Sequence, residues 1–170
     1  WVVDPLDGTN NFVSGMPSFG SAVAVLDDDG PVLGVVYVPV TDDLYVARRG
    51  DGVAYNGATV TADSAVPLPH ATVGYVIGRM VKRDGRKETA GRLFDAIDDE
   101  VKRVVASWSP VVHWGLLSRG RLEGMVAFHP NEEEQHAGEI LAREAGAAIY
   151  EDGPLFVAAT DEAVGSELFE

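Results

Sequence analysis

The chain has 170 residues and is 46% hydrophobic, which suits a single compact domain with a buried core. It contains no cysteine, which excludes disulfides and thiolate metal sites, and no apolar run of the roughly 20 residues that a transmembrane helix needs. Asp and Glu number 27 against 13 Lys and Arg, and this formal net charge of −14 argues against nucleic-acid binding, which requires a basic surface. We therefore expect neither a nucleic acid nor a membrane as a partner.

The first half of the chain is predicted to be mostly β-structure, because short apolar and β-branched runs alternate with turn residues. An apolar run at the N-terminus stops at Asp4, and residues 27–30 form a polar turn. Strands are predicted at residues 19–26, 32–40, 44–47, 59–61 and 72–77. The second and third of these strands are expected to pair as a hairpin.

The second half is predicted to alternate between helices and strands, because apolar residues recur there at helical spacing. Residues 78–88 are charged and predicted to form a loop. Helices are predicted at residues 89–97, 111–118 and 132–145, and strands at residues 101–106, 122–128, 148–150 and 155–158. Gly120 and Gly146 follow two of these helices, where a glycine commonly ends a helix. This order predicts layered sheets and helices rather than a helical bundle.

An acidic corner, residues 4–9, carries the strongest chemical signal. Asp4 and Asp7 follow an apolar strand, and carboxylates at such a position are hard oxygen ligands for Mg²⁺. Pro5 stiffens the turn, and Gly8 lets the backbone approach a ligand closely. The alternative is an ordinary surface turn, because Asp, Pro and Gly dominate such turns. The neighbouring residues favour the metal-phosphate interpretation.

Residues 1–12 resemble the first signature of the inositol monophosphatase family, W-x-x-D-P-[IL]-D-G-T-x-N-F. Further segments that resemble the family lie at residues 34–40, 43–50, 52–57, 120–124, 137–138 and 143–146. The likeness covers nearly the whole chain. It implies a single domain over residues 1–170 with the alternating α-β-α-β-α sandwich of this magnesium-dependent, lithium-sensitive superfamily, which includes archaeal fructose-1,6-bisphosphatases.

The resemblance also implies roles for individual residues of the acidic corner. Asp4 would bridge two Mg²⁺ ions, Leu6 would ligate through its carbonyl, and Asp7 would bind the second metal ion. Gly8 and Thr9 would hold the substrate phosphate with backbone N–H groups, and the Thr9 hydroxyl would assist. Asp4, Asp7 and Thr9 are thus the expected catalytic residues.

Two segments depart from the family pattern. Glu134 stands where relatives carry a metal-ligating Asp, so we expect it to complete the metal set with a longer arm, directly or through a water. The alternative is that residues 132–134 are a solvated helix N-terminus, where acids favour the dipole. Residues 108–110 read Trp-Ser-Pro where relatives carry G-S-A, and Ser109 is the expected substrate-binding residue there. We expect His113 to pack in the core and His136 to lie on a helix surface.

No Ser-His-Asp order stands out in the sequence, and neither Ser107 nor Ser109 is expected to have a base. Relatives also carry an N-terminal segment with a Glu-Glu metal motif and an Asp/Thr pair. That segment has no counterpart in these residues. We therefore expect this chain to be a fragment that is inactive by itself.

The resemblance predicts a cytoplasmic, magnesium-dependent phosphatase that hydrolyses inositol monophosphate or a related sugar phosphate. Fructose-1,6-bisphosphatase is the alternative, and a nucleotide 3′-phosphatase is less favoured. A third alternative is a degenerate member that binds a phosphorylated ligand or a protein without hydrolysis. The basic cluster in residues 79–87 is expected to be a solvated loop. The alternatives are a site for a second phosphate or a contact in a homodimer, which family members often form.

The charge balance also predicts adaptation to high salt, as in haloarchaeal proteins. Only three of the 13 basic residues are lysine. An acidic surface repels itself, and salt screens that repulsion. An ordinary acidic cytosolic protein is the alternative.

Overall fold

A six-stranded antiparallel sheet forms the first half of the chain in the computed structural model, which describes all 170 residues. Its strands follow one another in chain order: β1 (Val2–Asp7), β2 (Gly20–Asp27), β3 (Gly30–Val38), β4 (Asp43–Arg48), β5 (Gly52–Tyr55) and β6 (Ala58–Val60). A short helix, α1 (Thr9–Ser14), connects β1 to β2. Asn56 and Gly57 join β5 to β6 with positive φ angles of 48° and 82°, as a tight two-residue hairpin requires.

A second, mixed sheet lies in the rest of the chain, together with the longer helices. Its strands are β7 (Thr72–Ile77), β8 (Arg103–Val105), β9 (Gly124–Phe128), β10 (Ala148–Asp152) and β11 (Leu155–Ala159), in the order β10-β11-β9-β7-β8. The pairs of β7 with β8 and β9 are parallel, and the remaining pairs are antiparallel. Every residue of β9 is buried, as expected of a central strand covered on both faces.

Four longer helices cover these sheets: α2 (Lys87–Glu100), α3 (Pro110–Leu117), α4 (Glu132–Glu144) and α5 (Glu162–Phe169). Helices α3 and α4 pack between the two sheets, whereas α2 and α5 cover the other face of the second sheet. This confirms the predicted mixed α/β fold with alternating layers. The described residues supply four of the five layers of the predicted sandwich.

The main core lies between the two sheets and around α3 and α4, where 21 buried residues form one cluster. Two glycines allow α4 to pack closely against β3 and α3. A Cβ on Gly34 would lie 2.4 Å from Cγ2 of Ile140, and a Cβ on Gly138 would lie 2.2 Å from the Trp114 ring. This packing brings the N-terminal turn of α4 beside the end of β1.

The structure differs from the sequence prediction at several elements. Helix α2 extends beyond the predicted residues 89–97 at both ends, so only residues 78–86 of the predicted loop are outside it. Strand β8 is shorter than the predicted residues 101–106. Helices α1 and α5 were not predicted, and the six residues of α1 are too few turns for a periodic pattern.

None of the helices combines the length and the apolar character that crossing a membrane would require.

Candidate active site

The end of β1 presents both aspartates of the acidic corner. In a regular strand, residues three positions apart point to opposite faces. The pairing of β1 with β2 shifts register between Asp4 and Asp7, which breaks that alternation. Asp4 Oδ1 accepts a hydrogen bond from the Leu6 N–H at 3.0 Å, which fixes the turn.

Asp7 is buried, and its carboxylate is held by hydrogen bonds from residues that are distant in the sequence. Its Oδ2 accepts hydrogen bonds from Ser109 Oγ at 2.8 Å and from the Val111 N–H at 3.0 Å. Burial is the main cause that raises the pKa of Asp7 to about 7, and the carboxylates of Glu134 and Asp4 add to the rise.

Glu134 lies in the first turn of α4 and is only 5% exposed. Its Oε1 accepts a hydrogen bond from Asn131 Nδ2 at 2.7 Å. Burial raises the pKa of Glu134, and the Asp4 carboxylate contributes in the same direction. The preceding Glu133 instead pairs with Arg79 at the surface. Of the three consecutive glutamates, Glu134 is therefore the one that faces Asp7.

The residues predicted to bind phosphate meet at the same place. Gly8 has φ of 78°, and a Cβ there would lie 2.8 Å from the Ser18 carbonyl oxygen and 3.1 Å from Ser109 Oγ. Ser109 is fully buried, and its hydroxyl proton is donated to Asp7. The Thr9 hydroxyl donates to the Leu6 carbonyl at 2.8 Å. Direct contacts of these residues with a substrate stay predictions.

The oxygen ligands at this site are of the kind that a hard divalent cation binds. In the present side-chain arrangement, no three Asp, Glu or His side chains converge closely enough to hold a metal ion together. However, the carboxylates of Asp4 and Glu134 raise the pKa of Asp7, and that of Asp4 raises the pKa of Glu134, so the three groups lie near one another. Both hydrogen bonds to Asp7 go to Oδ2, which leaves Oδ1 for a cation. A cation between these carboxylates would offset their repulsion.

A cavity of about 340 Å³ opens beside Asp7 and Glu134. Its size is near the lower end of the range for small-molecule sites. Aromatic and basic side chains share its lining: Tyr75, Phe94, Trp108, Arg79, Lys82 and Lys87. Part of the basic cluster predicted as a solvated loop therefore borders the candidate site.

The sequence prediction missed a network behind the acidic corner. The expectation that Ser107 lacks a base is wrong, because Nε2 of His113 lies 2.7 Å from its Oγ. His113 is 2% exposed, which confirms its packing role, and its Nδ1 has no partner, so no catalytic triad forms. His136 is half-buried on α4 rather than fully on the surface.

Asn11 joins the same network from α1. Its Nδ2 donates to the carbonyl oxygens of Ser18 at 2.7 Å and Ser107 at 2.6 Å. Asn11 is buried, and its place in the first signature is the signal that could have identified it. The network holds the segment that carries Ser109 against the acidic corner.

Comparison with known proteins gives a consistent result. A family model described as the inositol monophosphatase family matches residues 1–167. An inositol-1-monophosphatase of Rhizobium meliloti is 34% identical over 149 residues, which are 86% of this chain and 54% of the relative. A fructose-1,6-bisphosphatase/inositol-1-monophosphatase of Aquifex aeolicus is 30% identical over 146 residues, with the same two coverages of 86% and 54%.

Another relative has a different kind of name. The Nus factor SuhB of Vibrio cholerae is 30% identical over 149 residues, which are 88% of this chain and 55% of the relative. The chain thus spans about half the length of these curated relatives.

Solved structures agree with the fold. SuhB of Mycobacterium tuberculosis superposes with a TM-score of 0.87 at 26% identity, over 99% of this chain and 69% of that one. An inositol monophosphatase from Anabaena gives a TM-score of 0.87 at 22% identity with the same coverages, 99% and 69%. With the family model matched from residue 1 to residue 167, the chain belongs to the inositol monophosphatase family.

Proposed function

We propose that the protein is a magnesium-dependent phosphomonoesterase that acts on a small phosphate ester. The observation that carries this proposal is the convergence of Asp7 on β1 and Glu134 on α4 at one cavity, with Ser109 before α3 hydrogen-bonded to Asp7 behind them. Relatives of this chain are named for inositol monophosphatase and fructose bisphosphatase activities.

In this proposal, Asp4, Asp7, Glu134 and the Leu6 carbonyl hold Mg²⁺. When bound, the ion makes water a stronger nucleophile and offsets negative charge on the phosphate. The protein's own task is to hold these oxygens in place. The Ser109 hydroxyl and the Val111 N–H fix the orientation of Asp7.

Gly8 and Thr9 bind the phosphate in this proposal through their backbone N–H groups, which directly follow Asp7, and Gly8 packs so closely on Ser18 and Ser109 that a side chain does not fit there. Ser109, the predicted substrate-binding residue, instead supports the site from behind, because its buried hydroxyl donates to Asp7. Asn11 and His113 act indirectly, because both hold Ser107 and thereby the segment that contains Ser109. They are positioning residues rather than catalytic residues.

Inositol monophosphate or a related sugar phosphate is the first substrate to test. Fructose 1,6-bisphosphate is the second candidate, because Lys82 and Lys87 line the cavity without an ion-pair partner and offer charge to a second phosphate. We also propose that the 170 residues are one domain of a cytoplasmic protein that forms a homodimer.

The Asp4→Asn variant of the natural-length protein tests the proposal. We expect phosphate release to fall by roughly two orders of magnitude or more, because a metal ligand contributes several kcal/mol to the transition state. Circular dichroism should show an unchanged fold, and calorimetry should show weaker Mg²⁺ binding. Asp95→Asn, an exposed carboxylate on α2, is the matched control and should retain full activity.

Near wild-type turnover in Asp4→Asn would refute the role of this carboxylate. If the wild-type protein releases no phosphate from any substrate with saturating Mg²⁺, the alternative of a phosphate-binding or interaction protein is favoured. The relatives that carry the name Nus factor SuhB are the reason to keep that alternative in the test.

A further inference from the structure

Asn131 lies at the N-cap position of α4, but its side chain does not cap the helix. An asparagine at this position commonly accepts a hydrogen bond from a backbone N–H of the first turn. Asn131 makes no such bond, whereas Asp161, at the start of α5, accepts one from the Val164 N–H at 2.9 Å. Loss of a cap of this kind typically costs about 1 kcal/mol of stability. The side chain of Asn131 therefore serves other partners.

Both ends of the Asn131 amide have a partner. Its Oδ1 accepts a hydrogen bond from the Arg79 N–H at 3.1 Å, and its Nδ2 donates to Glu134 Oε1 at 2.7 Å. A backbone N–H can only donate and an ionised carboxylate can only accept, so these partners fix which way the amide faces. The amide thereby links the Glu134 carboxylate to the backbone of the segment that follows β7.

Gly78 brings the Arg79 N–H within reach of Asn131. A Cβ on Gly78 would lie 1.8 Å from the His129 carbonyl oxygen, so a larger residue does not fit there. The Gly78 N–H also donates to the Phe128 carbonyl at 3.1 Å, which joins the ends of β7 and β9. The backbone that orients the amide is therefore held by the second sheet.

Arg79 acts differently on the two neighbouring glutamates. Its guanidinium pairs with Glu133 at the surface, while its backbone N–H holds the amide that contacts the buried Glu134. A glutamate has one more rotatable bond than an aspartate, so more conformations must be lost when its carboxylate is ordered. A partner outside the helix can impose that order. The Asn131 amide binds Oε1, so Oε2 can face a cation.

We propose that Asn131 is a positioning residue that holds the Glu134 carboxylate towards the cation. This inference rests on the proposed metal-dependent function, because it requires Glu134 to be a ligand. Asn131 acts through Glu134 rather than on the ion itself, as the outer partners of metal ligands commonly do. It limits the glutamate arm to one orientation, so that less order has to be imposed when the ion binds.

Replacing Asn131 with serine tests this role in the natural-length protein. Serine suits the position before a helix about as well as asparagine does, so the fold should be retained, but its side chain is too short to join Arg79 to Glu134. Calorimetry should show that Asn131→Ser binds Mg²⁺ about tenfold more weakly, because loss of an outer partner of a metal ligand typically has an effect of this size. Asn131→Gln keeps the amide and should recover most of that affinity. Asp161→Ser changes the N-cap of α5, outside the cavity, and is the matched control that should bind Mg²⁺ as the wild-type protein does.

A Glu134→Ala background distinguishes positioning from a general structural role. If Asn131 acts through Glu134, adding Asn131→Ser to Glu134→Ala should weaken Mg²⁺ binding no further, because the carboxylate that the amide holds is already absent. A merely structural role would give additive losses. A second measurement uses the wild-type protein, in which the NMR signals of the Asn131 side-chain NH₂ group should shift when Mg²⁺ is added. Unchanged signals at saturating Mg²⁺ would contradict the role.

The outcomes separate this inference from the proposed function, because calorimetry does not require hydrolysis. If no phosphate ester is hydrolysed but Asn131→Ser weakens Mg²⁺ binding only where Glu134 is present, the phosphatase proposal fails and the role of Asn131 stands. If esters are hydrolysed but Asn131→Ser binds Mg²⁺ as tightly as the wild-type protein, or loses affinity equally without Glu134, the role of Asn131 is wrong. A wild-type protein that binds no Mg²⁺ would overturn both.

Discussion

His113 shows how burial can control a single titratable residue. It is 2% exposed in α3, and burial lowers the pKa of its imidazole from 6.5 to about 4. The ring therefore remains neutral at pH 7, with Nε2 next to the Ser107 hydroxyl. Because the same hydroxyl group also lies 3.3 Å from Ser18 Oγ, one buried ring stabilises the junction between α1 and the segment before α3.

This burial predicts a pH dependence of stability. Below pH 6.5, the unfolded chain protonates His113, while the folded protein does so only near pH 4. The free energy of unfolding should therefore fall as the pH falls from 7 to 4, and the contribution of His113 should reach about 3 kcal/mol. The measurement is urea unfolding of the wild-type protein and of His113→Gln across this range.

The informative quantity is the difference in the free energy of unfolding between the wild-type protein and His113→Gln. The raised pKa of Asp7 makes the free energy of unfolding rise as the pH falls over part of the same range. This contribution is the same in both proteins and cancels in the difference between them. Between pH 7 and 8.5 the difference should be constant. A difference that is also constant from pH 7 to 4 would show that burial does not hold this imidazole neutral.

At the scale of elements, the approach of α4 to its neighbours decides where Glu134 lies. Gly138 lies one helical turn beyond Glu134 and touches the Trp114 ring of α3, which is 1% exposed. Gly91 lies in α2 with nothing within 4 Å of the place where a Cβ would be. The two glycines are both in helix interiors, but only one of them is required by packing.

Substituting these glycines should therefore change stability in opposite directions. Gly91→Ala should stabilise the protein by about 1 kcal/mol, because alanine restricts the unfolded chain and favours a helix. Gly138→Ala should destabilise it by about 2 kcal/mol or more, because the new Cβ forces α4 away from Trp114. Urea unfolding of both variants measures this, and stabilisation by Gly138→Ala would contradict the packing described here.

At the scale of the whole molecule, negative charge dominates the surface. The net charge is −14, and the structure contains seven ion pairs between side chains that are mostly exposed. Such pairs contribute little individually. Near the C-terminus of α2, Asp95, Asp98, Asp99 and Glu100 are all exposed, and no basic residue lies in the last turn. These acids also face the negative end of the helix dipole.

Added salt should therefore stabilise the protein. In about 1 M KCl the Debye length falls to about 3 Å, which screens repulsion between these carboxylates. We expect the melting temperature to rise from low salt to molar KCl. The double variant Asp98→Asn/Asp99→Asn, which has a charge two units less negative, should show a smaller rise. A melting temperature that does not change with KCl would refute adaptation to high salt.

The sequence by itself determined the family, the mixed α/β fold and the acidic corner, because Asp4, Asp7, Gly8 and Thr9 are contiguous and their spacing is a local property. It also predicts Glu134 as a metal ligand, because Glu134 stands where relatives carry a metal-ligating Asp, and this role stays a prediction. It did not predict α1 or α5, and α1, with six residues, is too short to show helical periodicity.

Only the tertiary structure decided which distant residues meet. The register singles out Glu134 among three consecutive glutamates, but only the packing of α4 buries that side chain beside Asp7. Likewise, Trp108 and Lys82 come from separate loops and meet at the cavity only because β7 and the segment before α3 lie side by side. The physical reason is that burial and charge contacts depend on how the elements pack. This packing cannot be read from the spacing of residues along the sequence.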